Sequence, residues 1–142
     1  FPYTTLFRSR CQVQHGLVGQ EFPGFEQDSI EYAITDYGVV SHVFARQLKW
    51  RAQKRGGEWV PTMPDETLAG YAAEWLQTNA KPRKTINKRH SSYGLKHTAE
   101  KTAPGNYITN GAFILAALRL GYRVQADMVS PNVFFNISIL GK

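Results

Sequence analysis

Residues 110–120 are apolar almost all the way round a helix, and this constrains the fold more than any other stretch. Phe113, Ala116, Ala117 and Leu120 form one stripe at helical spacing, and Ile114 and Leu118 widen it nearly to a full turn. A helix of that kind belongs inside a core, with other elements on every side. Thr109 or Asn110 stands where an N-cap is wanted, and Gly121 where a left-handed residue closes a helix. Two runs of period two follow. Tyr122, Val124 and Ala126 alternate with Arg123 and Gln125; Val133, Phe135, Ile137 and Ile139 alternate with Phe134, Asn136 and Ser138. Each predicts a half-buried strand, and residues 127–132 join the two as a hairpin loop containing Pro131.

The upstream residues read mainly as helices. Val40, Val43, Phe44 and Leu48 keep one stripe, so a helix is expected from a cap at Thr35 or Asp36 to about Arg55, where Gly56-Gly57 stops it. Leu68, Tyr71, Ala72, Trp75 and Leu76 predict an amphipathic helix over residues 64–79, with Pro64 and Asp65 in its first turn. Asn79 to Pro82 breaks it. A short strand is expected near residues 84–87, and Ser91 or Ser92 caps a helix over 92–102 that ends before Pro104-Gly105-Asn106. Residues 10–35, punctuated by Gly16, Gly19, Pro23 and Gly24, read as a loop-rich segment with a short element near 29–34. The fold class expected is α+β and mostly helical: a helix bundle, then a helix-turn-helix and a C-terminal β-hairpin. The chain has 142 residues, and 36–142 are expected to form a single globular domain around one core. Apolar residues at 42% and charged residues at 20% exclude a disordered chain, and no apolar run approaches the eighteen or more residues of a membrane span.

The start of the chain stands apart. Residues 1–9, Phe-Pro-Tyr-Thr-Thr-Leu-Phe-Arg-Ser, resemble the in-frame translation of a sequencing-library adapter, and there is no initiator Met. They are read as a non-native scar on an assembled, metagenomic sequence and left out of the fold argument. Cys11, the single cysteine, lies beside that junction, excludes an internal disulfide framework and leans to a reducing, cytoplasmic setting.

Over residues 62–140 the order helix, short strand, helix, helix, hairpin resembles a winged helix-turn-helix. The resemblance lies in element order and not in a residue signature. It implies DNA binding, with the helix nearest the hairpin in the major groove and the loop 127–132 as the wing tip. Carried onto this sequence, Thr109, Asn110 and Arg119 would lie near DNA. The sequence departs from the pattern, because residues 110–120 offer only Asn110 and Arg119 to base edges, and the loop 127–132 carries Asp127 and no cation.

Charge gives a second indication. The formal net charge is +6. Residues 46–101 hold twelve Lys or Arg against five acids, a local +7, while residues 10–36 hold one Arg against five acids, a local −4. Lys81, Arg83, Lys84, Lys88 and Arg89 crowd into nine residues, followed by Lys96 and Lys101, and a second basic group contains Arg51. Sequence-indifferent phosphate contact suits such a run, because each cation that neutralises a phosphate releases a counterion. The expected interface is therefore Lys81, Arg83, Lys84, Lys88, Arg89, Lys96 and Lys101, with Asn110 and Arg51. Trp50, among the cations of the second group, is assigned to the core in preference to base stacking.

The remaining motifs exclude more than they propose. There is no phosphate-binding glycine loop, nucleophile elbow or HExxH. His90, His97 and Glu100 do not supply the three or four ligands of a zinc site. No catalytic residue, metal or cofactor is expected. The function expected is that of a small non-enzymatic nucleic-acid-binding protein of phage, plasmid or other mobile-element type. The alternative is a protein-binding module, an inhibitor of a nucleic-acid enzyme or a homodimer, using helix 110–120 and Phe134 as its apolar surface. No membrane partner is expected.

Overall fold

The computed structural model describes residues 16–26 and 31–140; the segment 1–9 and Cys11 lie outside the described residues. Its centre is the apolar helix. This helix, α4 (Asn110–Arg119), is buried at every position from Asn110 to Leu118. The Thr109 hydroxyl caps it by accepting from Ala112 N at 3.2 Å, and Gly121 follows it at φ +90°, the left-handed conformation that only glycine adopts cheaply.

Two other helices pack around α4. One is α2 (Glu66–Asn79), capped by Asp65, whose Oδ1 accepts from Leu68 N at 3.0 Å. The other is α3 (Ser92–Glu100), capped by the Ser91 hydroxyl accepting from Gly94 N at 3.3 Å. The Phe113 ring lies between Trp75 of α2 at 6.1 Å and Phe135 at 5.8 Å, tilted to both. Each such aromatic pair adds about 0.5–1.5 kcal/mol beyond area burial.

The strands form two sheets, and here the structure corrects the expected fold class. The first sheet has the antiparallel order β1 (Leu17–Val18), β3 (Tyr32–Thr35), β4 (Gly38–Ser41). The second contains β6 (Val124–Ala126), β7 (Val133–Ile139) and β5 (Ala80–Ser91) in antiparallel order, with the two-residue β2 (Phe25–Glu26) parallel against β6. The chain is thus α+β with two sheets and four α-helices among the described residues. It is not a helix bundle followed by a helix-turn-helix and a single C-terminal hairpin.

The largest departure is at residues 32–41. The sequence reading begins a helix at Thr35 or Asp36; the structure has a hairpin there, and α1 (His42–Lys54) begins only after Ser41, whose hydroxyl accepts from Phe44 N at 3.1 Å. All eight residues of β3 and β4 are buried. Ile34 and Val39 face the central core, while Ala33 and Val40 face α1 with Phe44, Ala45 and Leu48. A sheet covered on both faces loses the apolar–polar alternation that announces a strand.

Asp36, in the turn of this hairpin, ties it to both neighbouring helix starts. Its Oδ1 accepts from Asp65 N at 3.1 Å and from the Thr109 hydroxyl at 2.6 Å, and its carbonyl accepts from Gly111 N at 3.1 Å. The close approach is allowed because residue 111 is glycine: a Cβ there would lie 1.8 Å from the Thr35 carbonyl oxygen.

Candidate nucleic-acid interface

β5 is twelve residues long and forms the outer edge of the second sheet. An edge position accommodates Pro82, which has no N–H to give. Pairing with β7 is regular from Ala80↔Ile139 to Pro82↔Ile137 and then slips: Asn87 pairs Phe135, and Ser91 pairs Phe134. The first slip sets Arg83 to Ile86 opposite Asn136 alone, and the second inserts Lys88 to His90 between residues paired with the adjacent Phe135 and Phe134. Arg83-Lys84 stand in the first bulge, and Lys88-Arg89 in the second. Bulges of this kind redirect side chains that a regular strand would send alternately up and down.

Two buried asparagines hold the bulges in place. Asn136 Nδ2 donates to the Arg83 carbonyl at 3.1 Å, while its Oδ1 accepts from Arg123 N at 2.6 Å. Asn87 Nδ2 donates to the Ile137 carbonyl at 3.0 Å, and its Oδ1 accepts from Arg89 N at 3.1 Å. The Arg123 guanidinium donates to the Lys84 carbonyl, and that of Arg83 to the Thr85 hydroxyl at 3.0 Å.

The expected cations separate into groups. Lys81, Arg83, Lys84, Lys88 and Arg89 are all exposed along β5, and Lys101 is exposed just after α3. Arg83, Arg89, His90 and Asn87 line one recess of about 340 Å³ with Ser138 and Ile139, and no acidic side chain borders it among the described residues. Lys88 lines a different recess, beside Asp127, Tyr32 and Phe134. Arg51 is exposed on α1, which packs on β4 of the other sheet. Trp50, assigned to the core from sequence, is 58% exposed, with Lys54 Nζ 4.7 Å from its ring centroid.

Lys96 and Asn110 do not belong with this surface. Both are 7% exposed. Lys96 Nζ lies 3.4 Å from Glu100 Oε2 and over the rings of Tyr93 (5.0 Å) and Tyr107 (5.7 Å). Asn110 Nδ2 donates to the carbonyls of Tyr37 and Pro131 and to Asn132 Oδ1, at 3.3, 3.1 and 3.1 Å. The other residues that the winged-helix resemblance carried toward DNA are also engaged: Thr109 caps α4 and binds Asp36, and Arg119 makes a two-pronged bond with Glu66 at 2.5 and 3.0 Å.

Lys96 and Asn110 instead meet at a cleft of about 520 Å³ that sequence reasoning missed. Asp36, Tyr37, Trp59, Tyr93 and Tyr107 share its lining with them. With Pro131 and Asn132 the lining is scattered over five segments, so no spacing in the sequence announces the cleft.

Glu100 is the electrostatic anchor beside the cleft. Its side chain is 13% exposed, and burial opposes its charge. Bonds from Ile108 N at 3.1 Å and from His97 Nδ1 at 2.6 Å, with the charge of Lys96, outweigh that cost and hold its carboxyl below the ordinary glutamate range. A depressed folded-state value stabilises the fold above the unfolded-state value, near 4.3, and that contribution disappears as pH falls through the lower folded value. Glu100→Gln should therefore unfold at lower urea than the wild type at neutral pH, by about 1–2 kcal/mol, with the gap narrowing in acid. Urea midpoints taken from pH 7 down to pH 3 check this; a constant gap contradicts it.

Among the described residues no cluster of three or more His, Cys, Asp or Glu could hold a metal, and no helix is long and apolar enough to cross a membrane. No protein-family model, curated protein or solved structure matches the chain.

Proposed function

We propose that this protein is a non-enzymatic nucleic-acid-binding protein that holds the phosphate backbone along β5. The observation that carries the reading is the bulged edge strand: five exposed Lys or Arg on one strand, with Arg83, Arg89 and His90 around a recess that no acid among the described residues borders. Arginines suit phosphate because the guanidinium fork gives two parallel bonds to its oxygens. The contacts are to backbone and not to base edges, since α4, the helix a winged-helix reader would present, is interior from Asn110 to Leu118. The same burial removes that helix as an apolar partner surface. A cytoplasmic location goes with this reading.

The test is retardation of labelled duplex DNA in low-salt gels. The proposal expects duplexes of unrelated sequence to be retarded alike, at protein concentrations in the micromolar range. No retardation of any duplex at low salt would reject it.

A further inference from the structure

The cleft beside Lys96 is a second site, and we infer that it takes a single unstacked heterocyclic base, carried either by a free nucleotide or by a single strand. Its rim is where the exposed aromatic surface converges. Tyr37 and Tyr93 are each 49% exposed and Tyr107 is 55% exposed, and all three line this one cleft with the half-buried Trp59. Scattered surface rings need no explanation; four on one concavity of about 520 Å³ form a stacking site of the size small ligands occupy.

The polar groups between the rings narrow the ligand class. Lys96 Nζ is neutralised by Glu100 at 3.4 Å, and Asp36 Oδ1 is already taken by the Thr109 hydroxyl and Asp65 N. Both charged groups of the cleft are thus already engaged within the protein, so neither is left free as the principal group that recognises a ligand. Donors and acceptors remain around the rings, among them Asn132 and Asn110. Asn110 is 7% exposed and its buried Oδ1 has no hydrogen-bond partner among the described residues, so the wall of the cleft holds an acceptor that no protein donor satisfies. A planar, uncharged ring with N–H and C=O on its edge matches both features: it stacks on tyrosine and tryptophan and hydrogen-bonds at its rim.

The site stands on the geometry of the cleft and not on β5, and suitable probes separate the two. Duplex DNA keeps its bases stacked and reports on β5; nucleoside monophosphates report on the cleft, and single-strand binding is assigned to the cleft only for the part that the tyrosine variants lose. Calorimetric titration of the full chain should show saturable binding of at least one monophosphate or single strand. Tyr93→Ala and Tyr107→Ala, both at half-exposed positions, should each weaken that binding about tenfold or more while circular dichroism shows the fold retained. If either variant unfolds, Trp59→Ala supplies the same readout. Equal affinity for monophosphate and single strand would identify a free nucleotide as the ligand, and binding of the single strand alone would identify a strand's base; either supports the site. Absence of saturable binding with all monophosphates and single strands, or binding that the tyrosine variants leave unchanged, would overturn it, whatever duplex DNA does.

Discussion

Gly111→Ala should lose about 3 kcal/mol or more of stability, enough to leave much of the chain unfolded. The added Cβ would sit 1.8 Å from the Thr35 carbonyl oxygen, 2.7 Å from the Thr35 carbonyl carbon and 2.8 Å from Asp36 Cα. All three are backbone atoms of a buried hairpin, so no flexible side chain can move aside. Either α4 retreats from the hairpin or the hairpin opens, and both break the bond from Gly111 N to the Asp36 carbonyl. Overpacking of a core commonly costs 1–3 kcal/mol, and backbone collisions lie at the upper end or above. Gly70 is the control. It lies exposed in the interior of α2 with nothing within 4 Å of its would-be Cβ. Gly70→Ala should stabilise the protein by about 0.5–1 kcal/mol, because alanine lowers the entropy of the unfolded chain and favours helix. Urea denaturation of the pair followed by circular dichroism gives opposite signs if α4 sits against the hairpin as described. Equal effects would mean that it does not.

The second large effect concerns binding. Arg83→Glu with Arg89→Glu should weaken duplex binding at low salt by about 10²-fold or more, since two phosphate contacts are replaced by two repulsions. Both side chains are exposed, so stability should stay within about 0.5 kcal/mol of the wild type. The Arg89 backbone N–H bond to Asn87 and the Arg83 carbonyl bond to Asn136 involve main-chain atoms and survive the exchange. Reversal of Arg51 on α1 should cost far less, because α1 packs on the other sheet. Fluorescence anisotropy with one labelled duplex measures all three proteins. An equal loss from Arg51→Glu would point to net charge, not to a site on β5.

Which parts of this molecule are legible in its sequence follows from what each element needs. α3 and α4 start at Ser91 and Thr109, caps whose side-chain chemistry is local and visible from residue type, while Asp65, read as a first-turn residue of a helix from 64, is the cap of α2. β7 has enough alternation to be read directly. The hairpin at 32–41 is hidden for a tertiary reason. Covered on both faces, its strands show short apolar runs, Tyr32-Ala33-Ile34 and Val39-Val40, in place of alternation, and Val40 falls in helical step with Val43, Phe44 and Leu48 of the following helix. Of β5 only a short strand near 84–87 is read, and its full extent from Ala80 to Ser91 is hidden because its two bulges erase period two and Pro82 argues against a strand.

The candidate site divides along the same line. The density of cations between Lys81 and Arg89 is a property of composition and needs no structure to see. That Arg83 and Arg89 share a recess while Lys88 borders another depends on where the bulges fall, which the partner strand decides. Lys96 reads as one more surface cation until Tyr93, Tyr107 and Glu100 close around it; Glu100 lies one turn further along α3, and Tyr107 reaches it only through the turn after α3. Asn110, the expected base reader, is claimed by Tyr37, Pro131 and Asn132.

The central claim is that β5 engages phosphate, and the salt dependence of duplex binding tests it most directly. With about four contacts, log K should fall linearly with log salt at a slope of roughly −3 to −4.5, so that affinity drops about 10²-fold between 50 and 200 mM. In the Arg83→Glu, Arg89→Glu protein the slope should shrink in magnitude by about two. A slope near zero in the wild type, or one that the double reversal leaves unchanged, would contradict the account.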